Sequence, residues 1–406
     1  MKDQIVEITP DVKWIGALDA GLVTFDVVMT TEFGSTYNAY FIDADKKTLV
    51  ETVKDTHTAG YLERVKALCR PEEIEYIIVN HTEPDHSGSL AALLTIAPDA
   101  TVVGTVQALM YLGDMTNKPF KSLKVKDGDT LDLGNKTIRF IGAPNLHWPD
   151  TMYSYLAEDQ LLFTCDSFGA HYCSETVFDD MVASKDDYDA AFEYYFDCIL
   201  RPYSRFMMSA IEKIRPLEIK TICTGHGPVL RTRWKEAVDK SYRLASEYLA
   251  ITGAKKNRIL IAYVSAYGYT RLMADWIKKG LTQAGNFQVE MLDIEFASLG
   301  DLEAALTRSD ALMVGSSTIN QNTLLPVYKL FAAVNPLRDH GKAAAVFGSY
   351  GWSGEATGLI ETMMTGLKWK VVQPAYRAKF KPGEEKFRQL LDFGKAFAEK
   401  LNVHCE

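Results

Sequence analysis

One short run gathers four chemistry-bearing side chains into six residues: His81-Thr82-Glu83-Pro84-Asp85-His86. Alternate side chains at His81, Glu83 and Asp85 can fan out from one tight loop, with His86 offset beside them. Neutral imidazoles and ionised carboxylates together suit a pair of hard-to-borderline cations. Three more loops carry the same residue types. His147 and Asp150 lie in Asn145-Leu146-His147-Trp148-Pro149-Asp150, Asp166 follows Cys165 with His171 shortly after, and His226 sits in Thr224-Gly225-His226-Gly227. Of the eight histidines in the chain, five fall in these places; His57, His340 and His404 have no such context. Taken singly, each residue has an ordinary explanation. A lone histidine after a strand is usually a satisfied polar group, Asp166 could cap a helix, and Glu83 could be a surface charge. Four ligand-bearing loops together are much harder to explain that way.

A second set of loops suits a flat, phosphorylated ligand. The apolar run 258–264 is followed by Ser265-Ala266-Tyr267-Gly268-Tyr269-Thr270 and a helical pattern from Arg271. Hydroxyls and backbone N–H groups at a helix N-terminus make an anion site. The loop lacks both the triphosphate and the dinucleotide glycine fingerprints, so a single terminal phosphate fits better. Thr318, Ile319, Asn320 and Gln321 follow the run 311–315, and Ser349, Tyr350, Gly351, Trp352 and Gly354 follow the run 343–347. Glycines let backbone amides approach a flat ring, and aromatic side chains can flank it. Any one of these loops could be a plain helix entry.

The elements that position these loops can be read from apolar patterning. In the first part, 39–42, 74–79, 138–141, 161–164 and 219–223 read as strands, short and rich in β-branched residues. The segments 61–69 and 90–96 read as helices. From about residue 258 the rhythm changes to continuous apolar runs separated by helical stretches. That is the pattern of a βαβ series with strands buried on both faces. Ligands of such doubly wound sheets bind at the carboxyl edge of the strands, where all three loops of the second set fall. The polar segment 251–257 separates the two patterns. It predicts a first domain over 1–252 and a second over 253–406.

Composition sets the outer limits. The chain has 406 residues, 47% hydrophobic and 24% charged, a normal globular mixture long enough for two domains. A formal net charge of −9 argues against a sequence-independent grip on nucleic acid. No apolar run approaches the roughly 20 residues that span a bilayer, and the N-terminus lacks a signal-peptide core. The expected location is cytoplasmic, with no membrane partner. The six cysteines form no CxxC pair, which argues against a disulfide framework or a cysteine-bound cluster.

The H-x-E-x-D-H run looks like the metallo-β-lactamase signature H-x-H-x-D-H with glutamate in place of the second histidine. With the other loops in order, the whole chain resembles the flavodiiron proteins, or A-type flavoproteins. The resemblance implies an α/β protein: an N-terminal αββα metallo-β-lactamase-like sandwich holding two non-haem irons, then a doubly wound parallel-sheet flavodoxin-like domain holding FMN. It implies that His81, Glu83 and His147 bind one iron, that Asp85 and His226 bind the second, and that Asp166 bridges both. His86 is a further candidate ligand, since the matching histidine faces away from the iron in some members. His171 and Tyr195 would stand near the open face of the metals and donate hydrogen bonds there. Electrons would pass from FMN to the diiron centre, which would reduce dioxygen to water, nitric oxide to nitrous oxide, or both. The resemblance further implies a head-to-tail homodimer or a dimer of dimers. It also implies an external electron donor, whether rubredoxin, a reduced deazaflavin or a flavin reductase. The rival reading is a zinc-dependent hydrolase with a regulatory flavodoxin-like domain. Zinc has no redox chemistry that a flavin could serve, and glutamate makes the ligand set more oxygen-rich, which favours iron. Two departures from the family pattern stand out: the loop from Ala20 to Asp26, and Gly268 with Tyr269 where many members carry a second hydroxyl.

Overall fold

The computed structural model describes residues 4–26, 29–253 and 257–403. Ala254, Lys255 and Lys256 of the expected linker, together with His404 and Cys405, lie outside the described residues. The chain divides into two compact units, Met1–Leu249 and Ala250–Glu406. The cut falls inside the helix Trp234–Thr252.

The first unit is a sandwich of a seven-stranded and a five-stranded sheet. The larger runs Val6–Thr9, Val12–Trp14, Tyr40–Ile42, Lys47–Val50, Ile74–Ile78, Thr101–Gly104, Lys121–Lys124 in spatial order. The smaller runs Thr130–Asp132, Thr137–Gly142, Met152–Leu156, Leu161–Cys165, Thr221–Thr224. Successive residues of a strand point to opposite faces, and here both faces are covered. Tyr40, Ile42, Val50, Ile78, Val103, Phe140 and Phe163 pack between the sheets. Their neighbours Phe41, Leu49, Ile77, Val102, Ile141 and Leu162 pack outward beneath helices. Helices Thr58–Leu68, Leu90–Ile96 and Val106–Thr116 contribute Tyr61, Val65, Leu93 and Leu112 to that outer core, and Ser204–Ile214 contributes Met207 and Ile211. The result is the αββα arrangement expected.

The second unit is one parallel sheet in the order Gln288–Asp293, Arg258–Tyr263, Ala311–Ser317, Ala343–Tyr350, Lys370–Val371. A short strand, Tyr376–Lys379, pairs in parallel with the far half of Ala343–Tyr350. The chain reverses direction across the sheet between Arg258–Tyr263 and Ala311–Ser317, the switch point where such sheets open a crevice. Leu260, Leu312 and Val346 pack on one face, and Ile261, Met313 and Phe347 on the other. The helix Tyr269–Ala284 covers the latter face together with Glu384–Val403. No helix of the described residues is long and apolar enough to cross a membrane.

Candidate metal centre and flavin pocket

All four ligand-bearing loops leave strands at one edge of the sandwich. The short helix Pro84–Ser87 follows Ile74–Ile78, with Pro84 at its first position, where a missing N–H costs nothing. It carries Asp85 and His86 inward, while His81 and Glu83 precede it; all four are buried. His147 lies between Thr137–Gly142 and Met152–Leu156, Asp166 follows Leu161–Cys165, and His226 follows Thr221–Thr224. Gly225 is required beside His226: a Cβ there would sit 2.6 Å from Cε1 of His86.

The seven side chains form two adjoining groups. His81, Glu83, His147 and Asp166 offer ligand atoms within 4.8 Å of one another, and so do Asp85, His86 and His226. Asp166 joins the groups. Its Oδ2 lies 3.4 Å from Nε2 of both His81 and His147, while its Oδ1 lies 3.0 Å from Nε2 of His86 and 3.4 Å from that of His226. Glu83 Oε2 stands 2.8 Å from His147 Nε2 and 3.3 Å from His81 Nε2. His86, whose orientation the sequence left open, turns its Nε2 inward.

The donor set fits a pair of cations. His226 donates Nδ1–H to the Thr36 carbonyl at 2.6 Å, which turns Nε2 into the site. That nitrogen is 3.0 Å from Asp85 Oδ2, yet neither oxygen of Asp85 accepts a hydrogen bond. An imidazole nitrogen and a carboxylate oxygen at that distance can share a cation. Elsewhere protons can take the ion's place. Burial opposes a charged ring at His81, but Asp150 and Glu83 carry its pKa up to about 9. Burial likewise opposes His147, and Asp166 and Glu83 carry it up to about 10. Desolvation would raise the Asp166 carboxyl, but His86, His147 and His81 hold it well below the usual range.

The surrounding shell orients the ligands. Asp150 Oδ2 accepts from Thr82 N at 2.8 Å and Thr82 Oγ1 at 2.9 Å, and lies 3.4 Å from His81 Nδ1. Glu51 is buried below the same loop and accepts from Asn80 N at 2.9 Å; burial pushes its pKa up to about 7. His171 and Tyr195 are both buried, their rings T-shaped at 4.9 Å between centroids. His171 Nε2 and the Tyr195 hydroxyl make no hydrogen bond among the described residues. Burial and the neighbouring His226 push His171 down to about 3, so the ring is neutral. Tyr195 ends the helix Lys185–Tyr195, just before the π-helical turn Phe196–Leu200, a widened turn of the kind that often marks functional sites. Phe25 packs on His171 at 4.4 Å, which puts the divergent loop before Asp26 against the site.

In the second unit, a cavity of about 330 Å³ opens at the carboxyl edge of the sheet. Tyr267 and Tyr269 line it from the first loop, 318–321 from the second, and Ser349, Tyr350, Gly351 and Trp352 from the third. Tyr267 and Trp352 are 77% and 69% exposed, unsatisfied apolar surface of the kind a flat ring would cover. Asn320 and Gln321 have φ of 53° and 58°, and the Ile319–Asn322 backbone bonds close that turn over the pocket. Gly268, with φ of 77°, starts the helix Tyr269–Ala284. Ser265, Gly268, Thr270 and Gly354 do not line the cavity. Thr270 is buried below it, its hydroxyl 3.0 Å from Ser317 Oγ and 2.9 Å from Ser349 Oγ. Ser265 Oγ accepts from Arg271 N at 3.2 Å, and Gly354 caps the helix Glu355–Gly366. The sequence reading missed Ser317, Ser353 and Phe380, which also line the pocket. Phe380 follows the strand Tyr376–Lys379, so the carboxyl-edge rule, carried one strand further, would have found it.

Comparison with known proteins gives the same two halves. Residues 36–227 match the family described as ODP family beta lactamase, and residues 261–394 match flavodoxin. The type A flavoprotein fprA of Rhodobacter capsulatus is 37% identical over 98% of this chain and 91% of its own length. The flavo-diiron protein FprA2 of Clostridium acetobutylicum is 38% identical over 98% of this chain and 99% of its own. Among solved structures, rubredoxin oxygen:oxidoreductase from Desulfovibrio gigas aligns over 98% of this chain and 99% of its own, at 26% identity and a TM-score of 0.72. The flavodiiron protein of Giardia intestinalis aligns over 99% and 98%, at 29% identity and a TM-score of 0.68. A lactamase-like metal domain joined to a flavodoxin domain defines a class of redox proteins. This chain belongs to the flavodiiron, or type A flavoprotein, family. Its cofactors are FMN and a diiron centre.

Proposed function

We propose that this protein reduces dioxygen to water, nitric oxide to nitrous oxide, or both, with electrons that FMN receives from an external donor protein or reduced flavin carrier. The observation that carries the reading is Asp166, one carboxylate whose two oxygens face two separate ligand groups. His81, Glu83 and His147 would hold one iron, and Asp85, His86 and His226 the other. When bound, two irons supply electron pairs to a small diatomic substrate. The chain's own part is to shape and dry the space above them. Phe25 packs against His171 on one side, and His171 Nε2 and the Tyr195 hydroxyl, without partners among the described residues, would be available to hydrogen-bond the substrate. In the other unit, Tyr267, Trp352 and Phe380 offer apolar faces to the flavin ring. The N-terminus of Tyr269–Ala284 offers backbone N–H groups to its phosphate.

The rubredoxin in the name of the Desulfovibrio gigas relative supports a donor of that kind, and assembly as a head-to-tail dimer is part of the same proposal. The test is anaerobic reduction of the purified protein, then addition of oxygen or nitric oxide with products quantified. Two irons and one FMN per chain are expected, with oxygen consumed and no hydrogen peroxide formed, or with nitric oxide consumed and nitrous oxide released. Zinc in place of iron, with ester or lactam hydrolysis and no flavin reoxidation, would establish the rival hydrolase.

A further inference from the structure

Ser35 opens the short strand Ser35–Tyr37 and is fully buried. Its Oγ lies 2.8 Å from Nδ1 of His171, a residue 136 positions away in the sequence. His171 is 5% exposed, and its other nitrogen, Nε2, has no hydrogen-bond partner among the described residues. A neutral imidazole carries one N–H, and the bond made at one nitrogen decides which nitrogen keeps it.

Two hydrogen-bond distances bear on that choice. The Ser35 hydroxyl has one hydrogen to give and two acceptors in reach: His171 Nδ1 at 2.8 Å and the Thr36 carbonyl at 3.3 Å. The Thr36 carbonyl already accepts Nδ1–H of His226 at 2.6 Å. Of the two contacts the one to Nδ1 is the shorter, and a Ser35 hydrogen given there leaves the ring proton on Nε2. We propose that Ser35 is a positioning residue that fixes His171 as an Nε2–H donor, so that an anionic or partly negative ligand atom at the diiron site is held by that hydrogen bond. The inference rests on the diiron reading above and adds to it the residue that sets the polarity of the pocket. Phe25 packs against the same ring at 4.4 Å between centroids.

The probe is azide added to the oxidised holoenzyme, followed by its charge-transfer band. Loss of a hydrogen bond to a charged ligand predicts that Ser35→Ala binds azide about tenfold more weakly, with iron and FMN content unchanged. Ser35→Thr keeps the hydroxyl and should restore wild-type affinity. On a His171→Ala background, Ser35→Ala should have no further effect, because Ser35 acts only through that ring. Azide affinity in Ser35→Ala within twofold of wild type overturns the proposal, and so does an equal loss on the His171→Ala background. A second measurement needs no variant. In the full chain loaded with diamagnetic zinc and labelled with 15N-histidine, the one-bond N–H coupling of His171 should appear at Nε2. Coupling at Nδ1 overturns the proposal, including where Ser35→Ala fails to retain iron. An iron-free wild-type protein with no azide band overturns the diiron reading itself, which is a different result from a normal band left unmoved by the serine variant.

Discussion

Asp150 touches no proposed substrate and occupies no proposed ligand position, yet its loss should cost iron. The carboxylate is fully buried, and its Oδ2 gathers Thr82 N, Thr82 Oγ1 and His81 Nδ1. Replacement by asparagine keeps the shape and removes the charge. A hydrogen bond to a charged group contributes about 1.5–3 kcal/mol and a neutral one about 0.5–1.5, so each of the three contacts loses roughly 1 kcal/mol. Together they weaken the grip on the loop by about 3 kcal/mol, or about 100-fold in affinity, the upper end of what such supporting groups are worth at metal sites. The loss should fall first on the His81, Glu83, His147 subsite, since Asp150 orients His81. The assay is iron titration of Asp150→Asn against a competing chelator, with FMN content as an internal control, because the flavin pocket belongs to the other unit. Wild-type affinity at both subsites, within threefold, would refute the reasoning that a distant carboxylate fixes the His81 ring.

Further outcomes follow from the same geometry. Asp166→Ala should leave FMN bound but lose iron or leave an uncoupled pair, as read by metal analysis and magnetic spectroscopy; two coupled irons with full turnover would remove its bridging role. Glu83→His exchanges an anionic oxygen for a neutral nitrogen and should raise zinc occupancy after expression in fixed medium. His86→Asn, with the inward nitrogen gone, should cost the second iron, seen as a fall in iron per chain. In the metal-free protein, His81 and His147 are raised to about 9 and about 10. Raised histidines stabilise fully below the unfolded value near 6.5 and lose that contribution as pH climbs through 9 to 10. The apo-protein should therefore become less stable to denaturant between pH 7 and 10. Iron uptake, which needs those rings neutral, should strengthen over the same window. Thr270→Val removes two hydroxyl contacts below the flavin pocket, about 1–3 kcal/mol in all; a several-fold rise in the FMN dissociation constant by fluorescence titration is expected, and an unchanged constant would show the hydroxyl group to be idle.

What the sequence made legible was whatever lay close together along the chain. The run from His81 to His86 announces its chemistry because the fan of side chains is local, and the loops after 258–264, 311–315 and 343–347 announce theirs because one edge rule covers them all. The strands Lys47–Val50, Thr101–Gly104 and Met152–Leu156 went unread: the first two are four residues long, and in the third Ser154 breaks the apolar run although the whole strand is buried. Glu51, with φ of 63°, sits immediately beyond the first of these, and its bond to Asn80 crosses from one strand end to the next.

The supporting groups were hidden by separation rather than by type. Ser35 meets His171 across 136 residues, Thr36 meets His226 across 190, and Asp150 meets Thr82 across 68. A serine or threonine in a GSTYN stretch carries no mark of such a meeting. The ligands therefore name the metal site, but the tautomers that decide which way each ring nitrogen faces are set by residues that only the fold brings near. His226 and His171 illustrate the difference: one hands its Nδ1 hydrogen to a carbonyl and turns Nε2 into the site, while the other, on the proposal above, is held by Ser35 and would present a hydrogen there. On that proposal two histidines whose rings lie 5.0 Å apart take opposite polarity from the groups behind them, and that opposition would separate a metal ligand from a hydrogen-bond donor within one pocket.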